Sequence, residues 1–306
     1  MPVMCARNPD RRAFLREFLW FGATAILNER MSAGIAGWPE AALPVNVTDV
    51  HHHIYDSRFP ADPTVALRPL DATVDNYRVL QKLIGITRHV AIQPSTYGTD
   101  NRCLLDALSR FGSNARGIAV VNTNVSDREL KRLNSSGVRG LRFNLVQAGA
   151  TTPEMVEPLS KRIASLGWHI QVNASAEQIM AGSAMWNRLP VPIVFDHFGH
   201  VSNAQNPVFG LLCKMMQNGR AWTKLSGVET VSKAGPPDYS DGAKVAESFI
   251  KEAPDRLLWG TNWPHVTSSI KPDDVLLFNL LAHWTTNEKI RSKILVQNPD
   301  RLFGFH

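Results

Sequence analysis

Val47-Thr48-Asp49-Val50-His51-His52-His53-Ile54 is a β-branched run that closes on three consecutive histidines. Side chains alternate across a strand, so His51 and His53 share one face and His52 takes the other. Similar short apolar or β-branched runs follow at His89–Gln93, Arg116–Val121, Val138–Leu145, His169–Val172, Pro192–Phe195, Ala221–Leu225 and Leu257–Trp259, giving eight candidate strands. Between most of them lie stretches with helical spacing, such as Val74, Tyr77, Leu80, Gln81 and Ile84, or Pro158, Leu159, Ile163 and Leu166. Strands alternating with helical patterns of about 10–15 residues specify βαβ units and a parallel sheet. Eight such units in a chain of 306 residues fit a closed α/β structure, the (β/α)₈ TIM barrel, better than an open doubly wound sheet.

Composition narrows the function classes. At 44% hydrophobic and 20% charged residues, the chain can bury a large core and is not of disordered composition. Its formal charge of +6 is spread along the sequence, apart from Arg7, Arg11, Arg12 and Arg16 near the start. Nucleic-acid binding needs basic residues clustered on one face, so none is expected, while an anionic substrate is compatible. No apolar run reaches the roughly 18 residues that span a bilayer, and no membrane partner is expected. Cys5, Cys103 and Cys213 include no close pair, so neither a disulfide framework nor a thiolate zinc site is indicated. Cys103 falls in a helical stretch, Asp100 to Phe111, where burial is the default. No strand is followed by a glycine-rich phosphate loop, which argues against a nucleotide cofactor.

Residues 1–44 form a separate N-terminal segment, and residues 45–306 the barrel. Asp10-Arg11-Arg12-Ala13-Phe14-Leu15-Arg16, followed by the apolar run Phe18 to Leu27 and small residues from Ser32 to Gly37, has the order of a twin-arginine export signal. Periplasmic export is the expectation, and a cytoplasmic enzyme with an N-terminal amphipathic helix is the alternative.

Polar residues gather where the strands end: His51 to His53, Gln93 with Ser95, Arg142 with Asn144, Asn173, Asp196 with His197, Ser226 and Asn262. In a barrel of this class the C-terminal strand ends converge on one face, so these side chains can share a pocket. The longest irregular stretch, Val231 to Asp241, follows the seventh strand, where substrate loops sit. Tyr97 and Tyr239 lie in loops within reach of such a pocket. Trp259 and Trp263 are expected in its wall or in the core, His265 and His283 at the surface or in packing, and Asp196 as a strand-end acceptor able to orient a histidine.

His51-x-His53, Asp196-His197-x-Gly199 and Gly260-Thr261-x-Trp263-Pro264-His265, in this order, resemble the amidohydrolase superfamily (amidohydrolase family 2), in the branch that includes 2-pyrone-4,6-dicarboxylate lactonases and sugar-lactone enzymes. Gly98-Thr99-Asp100-Asn101, Ala115 to Val121, Gly137 to Asn144 and Asn298-Pro299-Asp300-Arg301-Leu302-Phe303 agree, and the resemblance runs from Val47 to Phe303. Metal-dependent relatives join the H-x-H pair with a modified lysine or carboxylate, a histidine and an aspartate. The matching positions here hold Arg142, Asn173 and Asn262. Arginine stays protonated and a neutral amide is a poor zinc ligand, so neither metal nor any other cofactor is expected.

The resemblance then implies a lactone-processing enzyme in which His51, His53 and His197 polarise a lactone carbonyl. Asn262 would position the attacking oxygen, and Arg142 would bind a carboxylate. Ser95, Asn144, Asn173, His200, Lys233 and Tyr97 are the further substrate-binding candidates. The branch's lactonases carry an aspartate base where Asn262 stands, and asparagine cannot accept that proton. Hydrolysis with His197 as base, isomerisation by the substrate's own hydroxyl, and a barrel that has lost its base therefore all remain open. His200, Ala148 and Thr230 occupy arginine positions of the dicarboxylate lactonase, which points to a smaller or singly charged lactone. The expected partner is that small molecule; a homo-oligomer is compatible.

Overall fold

The structure, a computed structural model, describes residues 43–147 and 149–305. The export-like stretch, Cys5 and Ala148 lie outside the described residues. No described helix is long and apolar enough to cross a membrane.

Eight parallel strands follow one another around a single sheet in chain order: β1 (Thr48–His52), β2 (Arg88–Ile92), β3 (Ala115–Ala119), β4 (Val138–Asn144), β5 (His169–Asn173), β6 (Ile193–Phe195), β7 (Ala221–Leu225) and β8 (Leu257–Trp259). Each coincides with one of the runs read from the sequence. The ring closes just beyond β8, where His52 bridges Trp263 and Asn262 N donates to His51 O at 2.8 Å. Gly260 permits that closure, because a Cβ there would stand 2.7 Å from His51 Cβ. Asp49 ties the seam. Its carboxylate accepts from Thr261 N (3.0 Å), Thr261 Oγ1 (2.7 Å) and Tyr77 Oη (2.8 Å), the last from the helix Val74–Ile84.

Helices pack their apolar faces on the outside of the ring. The helix Val74–Ile84 starts at a Thr73 capping box and buries Val74, Tyr77, Leu80 and Ile84, the residues that share one face at helical spacing. Cys103 is buried in the helix Arg102–Phe111. A second apolar cluster joins Val50, Val90, Ile92, Ile118, Val194, Trp222 and Leu258 with Phe303 and Phe305. These residues come from six strands and the chain's last turn, so they fill the ring's interior. β1 departs from strict alternation, since its register against β2 slips between Asp49 and His52. That bulge lets Val50 join the interior cluster while its neighbour His51 also reaches inward, to Lys224 of β7.

Candidate active site

The C-terminal strand ends surround a cavity of about 170 Å³, lined in part by His53, Tyr55, Ser95, Arg142, Asn144, Asn173, His197, His200, Thr230 and Asn262. The structure thus brings together eight side chains singled out from strands far apart in sequence. Three others are placed elsewhere. His51 is fully buried and lies against the cavity histidines from inside the barrel, its ring 5.0 Å from that of His53 and 4.7 Å from that of His197. Tyr97 turns away: its hydroxyl donates to Asp56 O and accepts from Asp56 N. Lys233 does not line the cavity; its backbone N–H donates to Asp241 in the loop after β7. Tyr239 is likewise buried outside the cavity wall.

His197 and His200 are aimed by an unusual piece of backbone. His197, Phe198, Gly199 and His200 have φ of 49°, 58°, 60° and 52°, a left-handed turn that L residues resist by roughly 1–2 kcal/mol each. Gly199 is required within it, because a Cβ would stand 2.5 Å from Leu212 Cδ1. Strain of this kind persists where surrounding structure over-determines it. Here Phe198 is wholly buried and Asp196, just before the turn, is locked in ion pairs. Gly227 answers a similar need on β7's exit, since a Cβ there would meet His197 Nδ1 at 2.7 Å.

Hydrogen-bond partners assign the imidazole tautomers. His53 Nδ1 donates to Ile92 O at 2.9 Å, and His197 Nδ1 faces the carbonyl oxygen of Ser226 at 3.3 Å and its hydroxyl at 3.2 Å. A carbonyl only accepts, so the neutral His53 ring carries Nδ1–H and presents an Nε2 lone pair; the same tautomer at His197 satisfies the Ser226 carbonyl. Where a donor to a carbonyl was expected of His53, its neutral ring therefore presents an acceptor. Burial, then the Arg142 charge, pushes His53 down to about 3, and burial pushes His197 down to about 4 against the opposing pull of Asp196. Both are therefore neutral at ordinary pH.

His51 is the exception. Lys224 Nζ donates to its Nδ1 at 2.9 Å and to Gln171 Oε1 at 2.6 Å, and stands 2.9 Å from Asp196 Oδ1. With Nδ1 accepting from an ammonium, the proton of His51 sits on Nε2, a buried atom with no protein partner. Burial and the Lys224 charge hold the ring well below its usual pKa. Burial also lowers Lys224, to about 8, with Asp196 opposing it. Asp196 is held well below the usual carboxylate range because the positive charges of Lys224 and, less strongly, Arg142 outweigh the effect of its own burial. Its role is thus larger than the strand-end acceptor expected of it.

A polar chain crosses the opposite wall. Asn144 Nδ2 donates to Ser95 Oγ (2.9 Å), Asn173 Nδ2 to Asn144 Oδ1 (3.0 Å), and His200 Nε2 to Asn173 Oδ1 (2.7 Å). Ser95 keeps its own O–H free for a ligand. Asn262 Nδ2 donates to Glu229 Oε1 at 2.9 Å, leaving Oδ1 as its acceptor. The same Glu229 oxygen pairs with His265 Nδ1 (2.9 Å), whose Nε2 meets Asp274 Oδ1 at 3.0 Å. His265, expected as an ordinary surface or packing residue, is therefore a buried cation. Burial alone would lower it, but the two carboxylates raise it to about 9. Lys224, Glu229 and Gln171 were not singled out from the sequence. The position of Lys224, two residues beyond Trp222 on a strand, was the one available signal that it points inward.

Among the described residues, one group could hold a cation: His51, Asp196 and His197, whose ligand atoms lie within 4.8 Å of one another. These residues do not fit a divalent ion. Lys224 already stands 2.9 Å from both His51 Nδ1 and Asp196 Oδ1, and Arg142 Nε lies 3.5 Å from Asp196 Oδ2. A divalent ion about 4 Å from the ammonium would meet repulsion on the order of 8 kcal/mol at an effective dielectric near 20.

The amidohydrolase family model matches residues 48–305. The chain is 34% identical over 281 residues to a 2-pyrone-4,6-dicarboxylate hydrolase of Comamonas testosteroni, covering 87% of this chain and 92% of that protein. It is 27% identical over 273 residues to a D-galactarolactone isomerase of Agrobacterium fabrum, covering 87% and 93% respectively. A crystal structure from Agrobacterium tumefaciens superposes with a TM-score of 0.82 at 27% identity, covering 88% of this chain and 99% of that one. With its parallel eight-stranded barrel and its histidines at the strand ends, the chain belongs to the amidohydrolase family, as a lactonase-like member of it.

Proposed function

We propose that this protein is a hydrolase that opens a small carboxylated lactone without a divalent metal. The observation that carries the reading is the meeting, around one small cavity, of the Arg142 guanidinium, two imidazole lone pairs (His53 and His197) and the oriented amide of Asn262. Arg142 holds the carboxylate through charge-assisted hydrogen bonds, and the Ser95 hydroxyl and the Asn144–Asn173–His200 chain hold the ring's polar groups. Asn262 Oδ1 accepts a hydrogen bond from the attacking water and aims its oxygen at the carbonyl carbon. As the C–O bond forms, the water's proton passes to an Nε2 lone pair, for which His197 is the assigned base. The Arg142 guanidinium at the cavity stabilises the developing oxyanion, with the Lys224 charge and the His51 Nε2–H dipole acting from beneath the cavity histidines. The tetrahedral adduct collapses by breaking the ring C–O bond, and the proton held on the imidazole moves to the departing alkoxide. An anionic substrate beside His197 raises its proton affinity during the reaction, offsetting the effect of burial.

Asn262 also favours a second reading, in which a hydroxyl of the substrate replaces water and the acyl bond moves from one oxygen to another. The relationship to an isomerase is consistent with it. Incubation with a panel of sugar-acid and aromatic lactones in ¹⁸O-water separates the readings: label in the carboxylate means hydrolysis, and rearrangement without label means isomerisation. No turnover on any lactone would overturn both and leave a binding barrel.

A further inference from the structure

Lys224 is fully buried in the middle of β7, inside the ring, and no step above transfers a proton or a bond through it. Burying an ammonium is expensive unless its donors are satisfied and its charge is paired. The barrel supplies both. His51 Nδ1 comes from β1, Gln171 Oε1 from β5 and the Asp196 carboxylate from the exit of β6, all within 2.9 Å of Nζ. Three elements far apart in sequence thus converge on one nitrogen, and two of the residues, His51 and Asp196, belong to the single cation-ligating group among the described residues. A carboxylate and an imidazole nitrogen are zinc-type donors, and they lie 3.5 Å apart, yet here the ammonium of Lys224 stands 2.9 Å from both. Because an ammonium has three donors and no acceptor, it also dictates the state of its neighbours: Nδ1 of His51 must accept.

We propose that Lys224 is a built-in cation: it occupies the place a divalent ion would take between His51 and Asp196, and it sets His51 as an Nε2–H donor facing the cavity histidines. Lys224 is in this sense a positioning residue, acting on substrate through His51. The role of the Nε2–H in oxyanion stabilisation rests on the lactone reading above; the exclusion of a divalent ion does not.

The test is zinc uptake and imidazole tautomer in the full chain. Wild-type protein, Lys224→Met and Lys224→Arg are loaded with zinc, passed over a chelating resin and assayed for metal by mass spectrometry. The wild type and Lys224→Arg should retain well under 0.1 zinc per chain, and Lys224→Met about one. Adding His51→Ala to Lys224→Met should abolish retention. In the wild type, ¹⁵N spectra of the imidazoles should show His51, identified by its loss in His51→Ala, as the Nε2–H tautomer. On the lactone that the wild type turns over, Lys224→Met should lose kcat by 10²-fold or more with KM changed less than threefold. Lys224→Arg, whose charge is kept, should recover part of that loss.

Zinc retained by the wild type, or a folded Lys224→Met that takes none, overturns the inference. If Lys224→Met fails to fold, Lys224→Gln is read in the same assay, and an Nδ1–H tautomer for His51 in the wild type overturns the proposal by itself. The outcomes also separate the two readings. Zinc uptake by Lys224→Met in a protein that opens no lactone sinks the function and keeps the cation. Lactone turnover after chelation, with no zinc taken up by the variant, does the reverse.

Discussion

Inside the barrel, His51 meets an ammonium; in the chain beyond β8, His265 meets two carboxylates. Both rings are almost wholly buried, at 0% and 3% exposure, and burial disfavours charge on each. In the floor cluster the neighbour is Lys224, so His51 is held neutral, well below its usual pKa. In the wall cluster Glu229 and Asp274 outweigh burial, and His265 is raised to about 9. The lesson is that the partner, rather than the degree of burial, decides whether a buried histidine is a neutral donor or a fixed cation. The floor cluster fixes His51 beneath the cavity histidines; the wall cluster fixes Glu229, and Glu229 fixes the amide of Asn262.

Breaking the floor should have the largest effect. Asp196→Asn leaves Lys224 and Arg142 buried without their shared carboxylate, and should lower unfolding free energy by about 3–5 kcal/mol, read from denaturant titration. Asp274→Asn, which removes one of two carboxylates from His265, should cost only about 1–2 kcal/mol. Equal losses would mean that the two clusters are energetically alike. Next in size, Arg142→Met should raise KM for a carboxylated lactone about 10²-fold, the loss of a charge-assisted contact of roughly 1.5–3 kcal/mol. A neutral lactone should be affected less than threefold.

pH sharpens the contrast, because the raised His265 and the depressed cavity histidines respond with opposite sign. His265 is raised above its unfolded value of 6.5, so its stabilisation is complete below about 6.5 and is lost as pH rises through about 9. His53 and His197 are depressed, to about 3 and about 4. Their contribution is present above 6.5 and is lost as pH falls towards those values, since the unfolded chain binds the protons. Stability should thus decline on both sides of neutrality, and His265→Gln should flatten the alkaline limb selectively, by about 1–3 kcal/mol. An unchanged alkaline limb would refute the charged state of His265. The smallest effect is expected where the structure removed a candidate: Lys233→Met should change kcat and KM less than twofold, and a larger effect would bring the loop after β7 back into the site.

Much of the fold was legible because it depends on local pattern. Each strand announced itself by a short apolar or β-branched run, and helices such as Val74–Ile84 by their apolar period. Histidines at the ends of β1 and β6, with Arg142, Asn173 and Asn262 at other strand ends, were legible too, since parity and strand-end position are local properties. Tyr97 and Lys233 misled because both lie in irregular chain, where no period fixes a direction. Asp56 captured the Tyr97 hydroxyl.

What the sequence determined alone was therefore the barrel, its polar face and the roster of groups that could act there. The tertiary structure decided their states. Lys224 lies 173 residues from His51, and Glu229 lies 33 from Asn262. No strand pattern says which side chains meet once a ring of eight strands closes. The bulge between Asp49 and His52, the left-handed turn at His197 and the cation beneath His51 all arise from that closure. A histidine's proton, in turn, follows its nearest partner in space, because hydrogen bonding and Coulomb forces act over a few ångströms whatever the separation along the chain.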